Sequence, residues 1–139
     1  MDVTQIPFNK FIEIAHSTDA TDQVLKLDFK DNMKNHLGTF HASAQFALAE
    51  ACSGLSLQKH FPHLANSVAP VLRKSDVKFK KPAQSDIQAA ASITTESKTQ
   101  FEQQLEKKGR ATIAVPVEII DQNGTVTMTG TYEWFVQKT

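Results

Sequence analysis

The sequence predicts an α+β domain in which one antiparallel sheet wraps a single long helix, and three observations lead there. The run from Ala42 to Gln58 is apolar nearly all round, with Glu50 as its only charged residue, the composition of a helix buried on every side. Several other segments alternate apolar and polar residues with the period of half-buried strands. The order is helix, strand, long helix, then several strands, without the regular strand–helix alternation that builds a parallel sheet.

Taken in order, Pro7 to His16 places Phe8, Phe11, Ile12 and Ala15 at helical spacing with Pro7 near its start. This predicts a short N-terminal helix, in a segment spanning residues 1–20, packed on the domain as a lid or brace. Val24 to Lys30 sets Leu25, Leu27 and Phe29 against Lys26, Asp28 and Lys30, a half-buried strand. A loop from Asp31 to Phe40 precedes the long helix, expected from about Ala42 to His60 and ended by Phe61-Pro62. At about 1.5 Å per residue it is roughly 27 Å long, enough to cross a small domain.

Ser67 to Lys81 alternates Val71, Val77 and Phe79 against Lys74, Asp76, Lys78 and Lys80 before Pro82 breaks it, while Asp86 to Thr94 is a weaker, alanine-rich strand. The period changes from Thr95 to Lys108, where Phe101 and Leu105 stand four apart among Glu, Gln and Lys and Gly109 follows as a C-terminal cap. Arg110 to Ile120 and Thr125 to Gln137 are β-prone and joined around Asn123-Gly124, a residue pair suited to a tight hairpin. On the last strand Val126, Met128, Tyr132, Trp134 and Val136 form one face and Thr125, Thr127, Thr129, Thr131 and Glu133 the other.

Composition narrows the function. The 139 residues suffice for one domain, residues 1–139, that buries about two-thirds of its unfolded surface. Fifteen basic and fifteen acidic residues cancel, so nothing in the overall charge invites nucleic acid or an acidic membrane. A single cysteine, Cys52, forms no internal disulfide, and the start of the chain lacks a signal-peptide pattern. The longest apolar stretch is interrupted by Gln45, Glu50 and Gln58, well short of a membrane span of about 20 residues. A soluble, cytoplasmic protein is expected.

Glu50 is the focus of the chemistry. A carboxylate on a helix that is apolar nearly all round loses hydration, so its pKa rises toward the range useful for proton transfer. Upstream, Asn35-His36-Leu37-Gly38-Thr39-Phe40-His41 supplies polar groups and a glycine turn leading into the helix. The pattern Asn35-x-x-Gly38-Thr39-x-His41, with Glu50 nine residues after the histidine, resembles the hotdog-fold thioesterases of the phenylacetic-acid-pathway (PaaI-like) type, which hydrolyse acyl-coenzyme A thioesters. Those enzymes carry Asn-x-x-Gly-x-x-His-Gly-Gly and then Asp or Glu at that spacing. Here the His-Gly-Gly core reads His41-Ala42-Ser43, and the helix from Thr95 to Lys108 is an addition to the simplest members.

The resemblance implies a hotdog fold and hydrolysis of a thioester to a free acid and coenzyme A. It implies no cofactor, coenzyme A entering only as part of the substrate, and self-association as a dimer or dimer of dimers with each site at a subunit interface. Glu50 is then the general base or nucleophile, with Asn35 as a possible donor to the substrate oxygen and His41 as a supporting group. The backbone amide of Ala42, at the positive end of the long helix, is the expected oxyanion donor. Gly38, Ser43, Arg73, Lys80 and Lys81 complete the expected substrate-binding set. Arg73 has the parity of Val77 and Phe79 and finds no explanation in the alternation. A non-catalytic acyl-ligand binding protein on the same fold is the alternative, prompted by the loss of both glycines. His60-x-x-His63 has no acidic ligand nearby, and no metal site is expected.

Overall fold

The computed structural model describes residues 1–18 and 24–139. Six strands form one antiparallel sheet: β1 (Ala15–His16), β2 (Val24–Leu27), β3 (Val68–Phe79), β4 (Ile87–Ala91), β5 (Arg110–Ile120) and β6 (Val126–Lys138). Their order across the sheet is β1-β2-β4-β5-β6-β3. Two helices follow the sequence expectation residue for residue, α2 (Ala42–His60) and α3 (Thr95–Lys108), whereas α1 covers only Pro7–Phe11.

The sheet is apolar on one side. In β5 every second residue from Ala111 to Ile119 is buried and the residues between are exposed, the alternation a one-sided sheet requires. Leu25, Leu27, Ile87, Ala89, Met128, Tyr132, Trp134 and Val136 continue this inner face and close over α2. Because α2 is enclosed, its buried positions run around the helix: Ala47 to Ala49, Ala51 to Ser53 and Leu55 to Leu57. Only Phe46, Glu50, Gly54 and Gln58 stay half-buried in the body of the helix. They are spaced four apart and therefore form one narrow open stripe.

α3 begins where the Thr94 hydroxyl accepts a hydrogen bond from the Ser97 amide at 3.1 Å. It ends where Gly109, at φ 69°, returns its N–H to the Leu105 carbonyl at 2.8 Å, a left-handed cap that glycine adopts without strain. Phe101 and Leu105 are buried, and the Phe101 ring lies 4.7 Å from Phe61, which ends α2.

Two expectations are corrected. The N-terminal helix is one turn and a half, and it does not pack through its phenylalanines: Phe8 is 61% and Phe11 82% exposed, while Asn9 and Ile12 are buried. Asn9 turns inward because its side-chain amide donates to the Val3 carbonyl at 2.9 Å. Glu13 then leaves helical geometry at φ 65°, and Ala15–His16 pairs with β2. Residues 19 and 20 of that segment lie outside the described residues. The second correction concerns β3, where the register shifts between Leu72 and Lys74. This bulge inverts the parity, so Val71, opposite Phe135, is 58% exposed and lies across the sheet from Val77, opposite Gly130. Arg73 is the unpaired residue of the bulge, which accounts for its parity.

Candidate active site

The loop before α2 is built around Asn35. Its Oδ1 accepts from the amides of Leu37 (2.9 Å) and Thr39 (3.1 Å), and its Nδ2 donates to the Thr39 hydroxyl at 2.8 Å and the Phe40 carbonyl at 3.4 Å. Both hydrogens of the side-chain amide are engaged within the loop, so Asn35 shapes the turn and in this state offers no donor to a substrate. Gly38 supplies the left-handed residue of the same turn at φ 76°. The loop is anchored by His41 N–H to the Met33 carbonyl and Phe40 N–H to the Ala83 carbonyl, both at 2.8 Å.

His41 is the N-cap of α2. Its Nδ1 accepts from the Ser43 amide at 3.0 Å, which leaves the proton of a neutral ring on Nε2. Its carbonyl accepts from the Ala44 and Gln45 amides. Of the first amides of the helix, only that of Ala42 has no intramolecular acceptor among the described residues, and Ala42 is exposed. The Ala42 N–H is therefore a free, dipole-oriented donor among the described residues.

Glu50 lies eight residues further along. Its carboxyl makes no hydrogen bond or ion pair among the described residues, and burial raises its pKa above the ordinary carboxylate value. Behind it, burial and then the Glu50 charge hold the Tyr132 phenol well above its usual range. Cys52 points away from this site: it is fully buried, its sulfur lies 3.3 Å from the Ala89 carbonyl, and burial pushes its thiol up to about 12. It is no nucleophile at neutral pH.

A buried polar contact that the alternation did not signal links the helix start to the basic turn after β3. The register of β6 slips between its partners Ile119 and Ile120, leaving Thr127 as an extra residue and turning it inward. There it donates to the Gln45 Oε1 at 2.9 Å. The Thr127 carbonyl in turn accepts from the amides of Lys80 (2.8 Å) and Lys81 (3.3 Å). Asn35, Gly38, His41, Ala42, Ser43, Lys80 and Lys81 thus gather at one end of α2. Arg73 does not join them; its guanidinium stands 5.5 Å over the Phe135 ring. Nor do His60 and His63 act together: His60 Nδ1 lies 2.9 Å from the Ser56 carbonyl, and His63 packs edgewise on Phe61. Among the described residues no group of three or more His, Cys, Asp or Glu is placed to hold a metal ion, and no helix is long and apolar enough to cross a membrane.

The fold is the hotdog fold and recurs in solved structures of low sequence identity. A Pseudomonas aeruginosa protein of unknown function, called a probable thioesterase, superposes with a TM-score of 0.82 at 20% identity, over 99% of this chain and 91% of its own. A Bacillus halodurans protein solved with CoA gives 0.71 at 19% identity, over 93% of this chain and 74% of its own. A Haemophilus influenzae thioesterase gives 0.69 at 11% identity, over 98% and 86%. No protein of curated function matches the chain by sequence. One family does match, over residues 7–136. The chain therefore belongs to the family described as Domain of unknown function (DUF4442).

Proposed function

We propose that the chain is an acyl-coenzyme A thioesterase that hydrolyses a thioester to a free acid and coenzyme A, with Glu50 as general base. The observation that carries this reading is the Glu50 carboxyl itself: half-buried, without a partner among the described residues, its pKa raised by burial. A structural glutamate on a buried helix is paired or hydrogen-bonded; this one is kept ready to exchange a proton. The thioesterase names of the structural neighbours and the CoA in one of them agree with it.

In the proposed reaction a water oxygen attacks the thioester carbonyl carbon while Glu50 takes its proton. The carbonyl electrons move onto oxygen, where the Ala42 N–H receives the charge. Collapse of the intermediate breaks the C–S bond, and the leaving thiolate takes a proton from Glu50. Direct attack by Glu50 to give an anhydride is the other route to the same products, and ¹⁸O retained in the protein after single turnover in ¹⁸O water identifies it, through water attack on the Glu50 carbonyl carbon of the anhydride. His41 supports the turn that presents Ala42, Asn35 and Gly38 build that turn, and Ser43, Lys80 and Lys81 face the coenzyme A moiety, whose phosphates suit the two lysines.

Ala42 and Glu50 are separated by about 12 Å along one helix and about 80° around it. One carbonyl is poorly placed to meet both, which supports a site shared by two copies of the chain, Glu50 from one and Ala42 from the other. β3, an edge strand of twelve residues exposed over most of its length, is the surface on which two sheets would join. The PaaI-like motif agrees with such a dimer or dimer of dimers. A panel of acyl-coenzyme A thioesters with free-thiol detection tests the reading on wild type and Glu50→Gln. Thiol release that the substitution abolishes supports it. Release that survives the substitution removes Glu50 from its role, and saturable binding without release at any chain length favours the acyl-ligand binder.

A further inference from the structure

Among the described residues nothing bonds the Glu50 carboxyl directly, so its position is set by the helical turn beneath it, and two aromatic residues of β6 take hold of that turn. The Tyr132 hydroxyl donates to the Phe46 carbonyl at 3.1 Å, the carbonyl one helical turn before Glu50 and hence the acceptor of Glu50's own amide in an α-helix. The Ser53 hydroxyl donates to the Glu50 carbonyl at 2.7 Å and accepts from the Trp134 indole N–H at 2.9 Å. The Phe46 ring packs on Tyr132 edge to face at 5.2 Å.

We propose that Tyr132 and Trp134 are positioning residues, holding through Phe46 and Ser53 the turn of α2 that presents the Glu50 carboxyl at its half-buried place. The Ser53–Trp134 bond is enclosed, where a hydrogen bond is held most firmly, and the Tyr132 bond reaches from a fully buried side chain to the half-buried Phe46. The two β6 residues bracket the turn, one ahead of Glu50 and one behind, so the helix neither slides nor rotates along the open stripe. This role rests on the reading of Glu50 as the base only for its catalytic consequence; the holding of the carboxyl is a separate claim.

The test uses Tyr132→Phe, which removes one hydroxyl, Ser53→Ala, and the two combined. The ionisation of Glu50 is followed by NMR of ¹³C-labelled glutamate carboxyls, assigned through Glu50→Gln. In the folded double variant the freed carboxyl gains hydration, and its midpoint is expected to fall by about half a unit or more toward that of an exposed glutamate. kcat for the best thioester falls about tenfold with KM within about twofold, the signature of misplacement. An unmoved midpoint in a folded variant overturns the proposal, with or without a change in kcat. Failure of the thioesterase reading is distinct: wild type then releases no thiol while the midpoint still moves.

Discussion

Glu50→Gln keeps the side-chain volume and removes the ionisable group, which makes it informative for stability as well as turnover. As the proposed general base, Glu50 is expected to account for about 10²–10⁴-fold of the rate, read as thiol release. The stability effect has the opposite sign. A carboxyl whose pKa is raised in the native state binds its proton more tightly there than in the unfolded chain. Its contribution is full below the unfolded pKa of about 4.3 and is lost as pH rises through the native pKa. Glu50→Gln is therefore expected to melt above wild type at pH 7–8 and level with it near pH 4, as thermal scans at the two pH values will show. A group kept for function at the expense of stability behaves this way. Thr127→Val is the residue-scale test of the link between α2 and the Lys80–Lys81 turn. It leaves the Gln45 Oε1 without its donor and is expected to cost about 1–3 kcal/mol in urea unfolding, with Thr127→Ser largely restoring it.

At the scale of elements, long periodic segments were legible and local irregularities were not. α2, α3 and β5 begin and end where composition, capping and alternation place them, because burial on one or all sides leaves a repeating mark. The same repeat misleads where the backbone inserts a residue: the Arg73 bulge inverts β3, and the slip at Thr127 turns a threonine of the expected outer face into the core. Phe8 and Phe11 show helical spacing without a buried face, since Asn9 occupies the inward position. Asn35 to Glu50 was legible as a candidate site because its residues lie on one short stretch. The Gln45–Thr127 and Ser53–Trp134 bonds join residues 82 and 81 positions apart, pairings that exist only after the sheet has closed over the helix. The join of β6 and β3 is tight enough to test: a Cβ at Gly130 would stand 2.9 Å from Val77 and 3.1 Å from the Tyr132 ring. Gly130→Ala is expected to destabilise by about 1–3 kcal/mol, measured by chemical denaturation, because Val77 and Tyr132 must both give way.

At the scale of the molecule, the proposed reading has an electroneutral chain meet a charged substrate through local groups. Lys80 and Lys81 hang from the same carbonyl, that of Thr127, which is tied to the start of α2. Lys80→Glu with Lys81→Glu is expected to raise KM for an acyl-coenzyme A by about tenfold while leaving the corresponding N-acetylcysteamine thioester, which has no phosphates, unchanged; parallel kinetics on the two substrates check this. On the proposed reading, the distance between Ala42 and Glu50 makes the assembly part of the chemistry. Ala42→Pro deletes the proposed oxyanion N–H where proline is well tolerated, at the first residue of a helix that follows an extended His41 (φ −63°, ψ 137°). Alone it is expected to cost about 10²–10³-fold in kcat. The most direct measurement mixes Glu50→Gln and Ala42→Pro chains by co-expression, confirms mixed dimers by native mass spectrometry, and follows thiol release. Because a mixed two-fold dimer has one of its two sites intact and random pairing makes about half of the dimers mixed, activity of the co-expressed pool is predicted to return to about a quarter of wild type. Mixed dimers no more active than either parent would contradict the shared site and the roles given to Glu50 and Ala42.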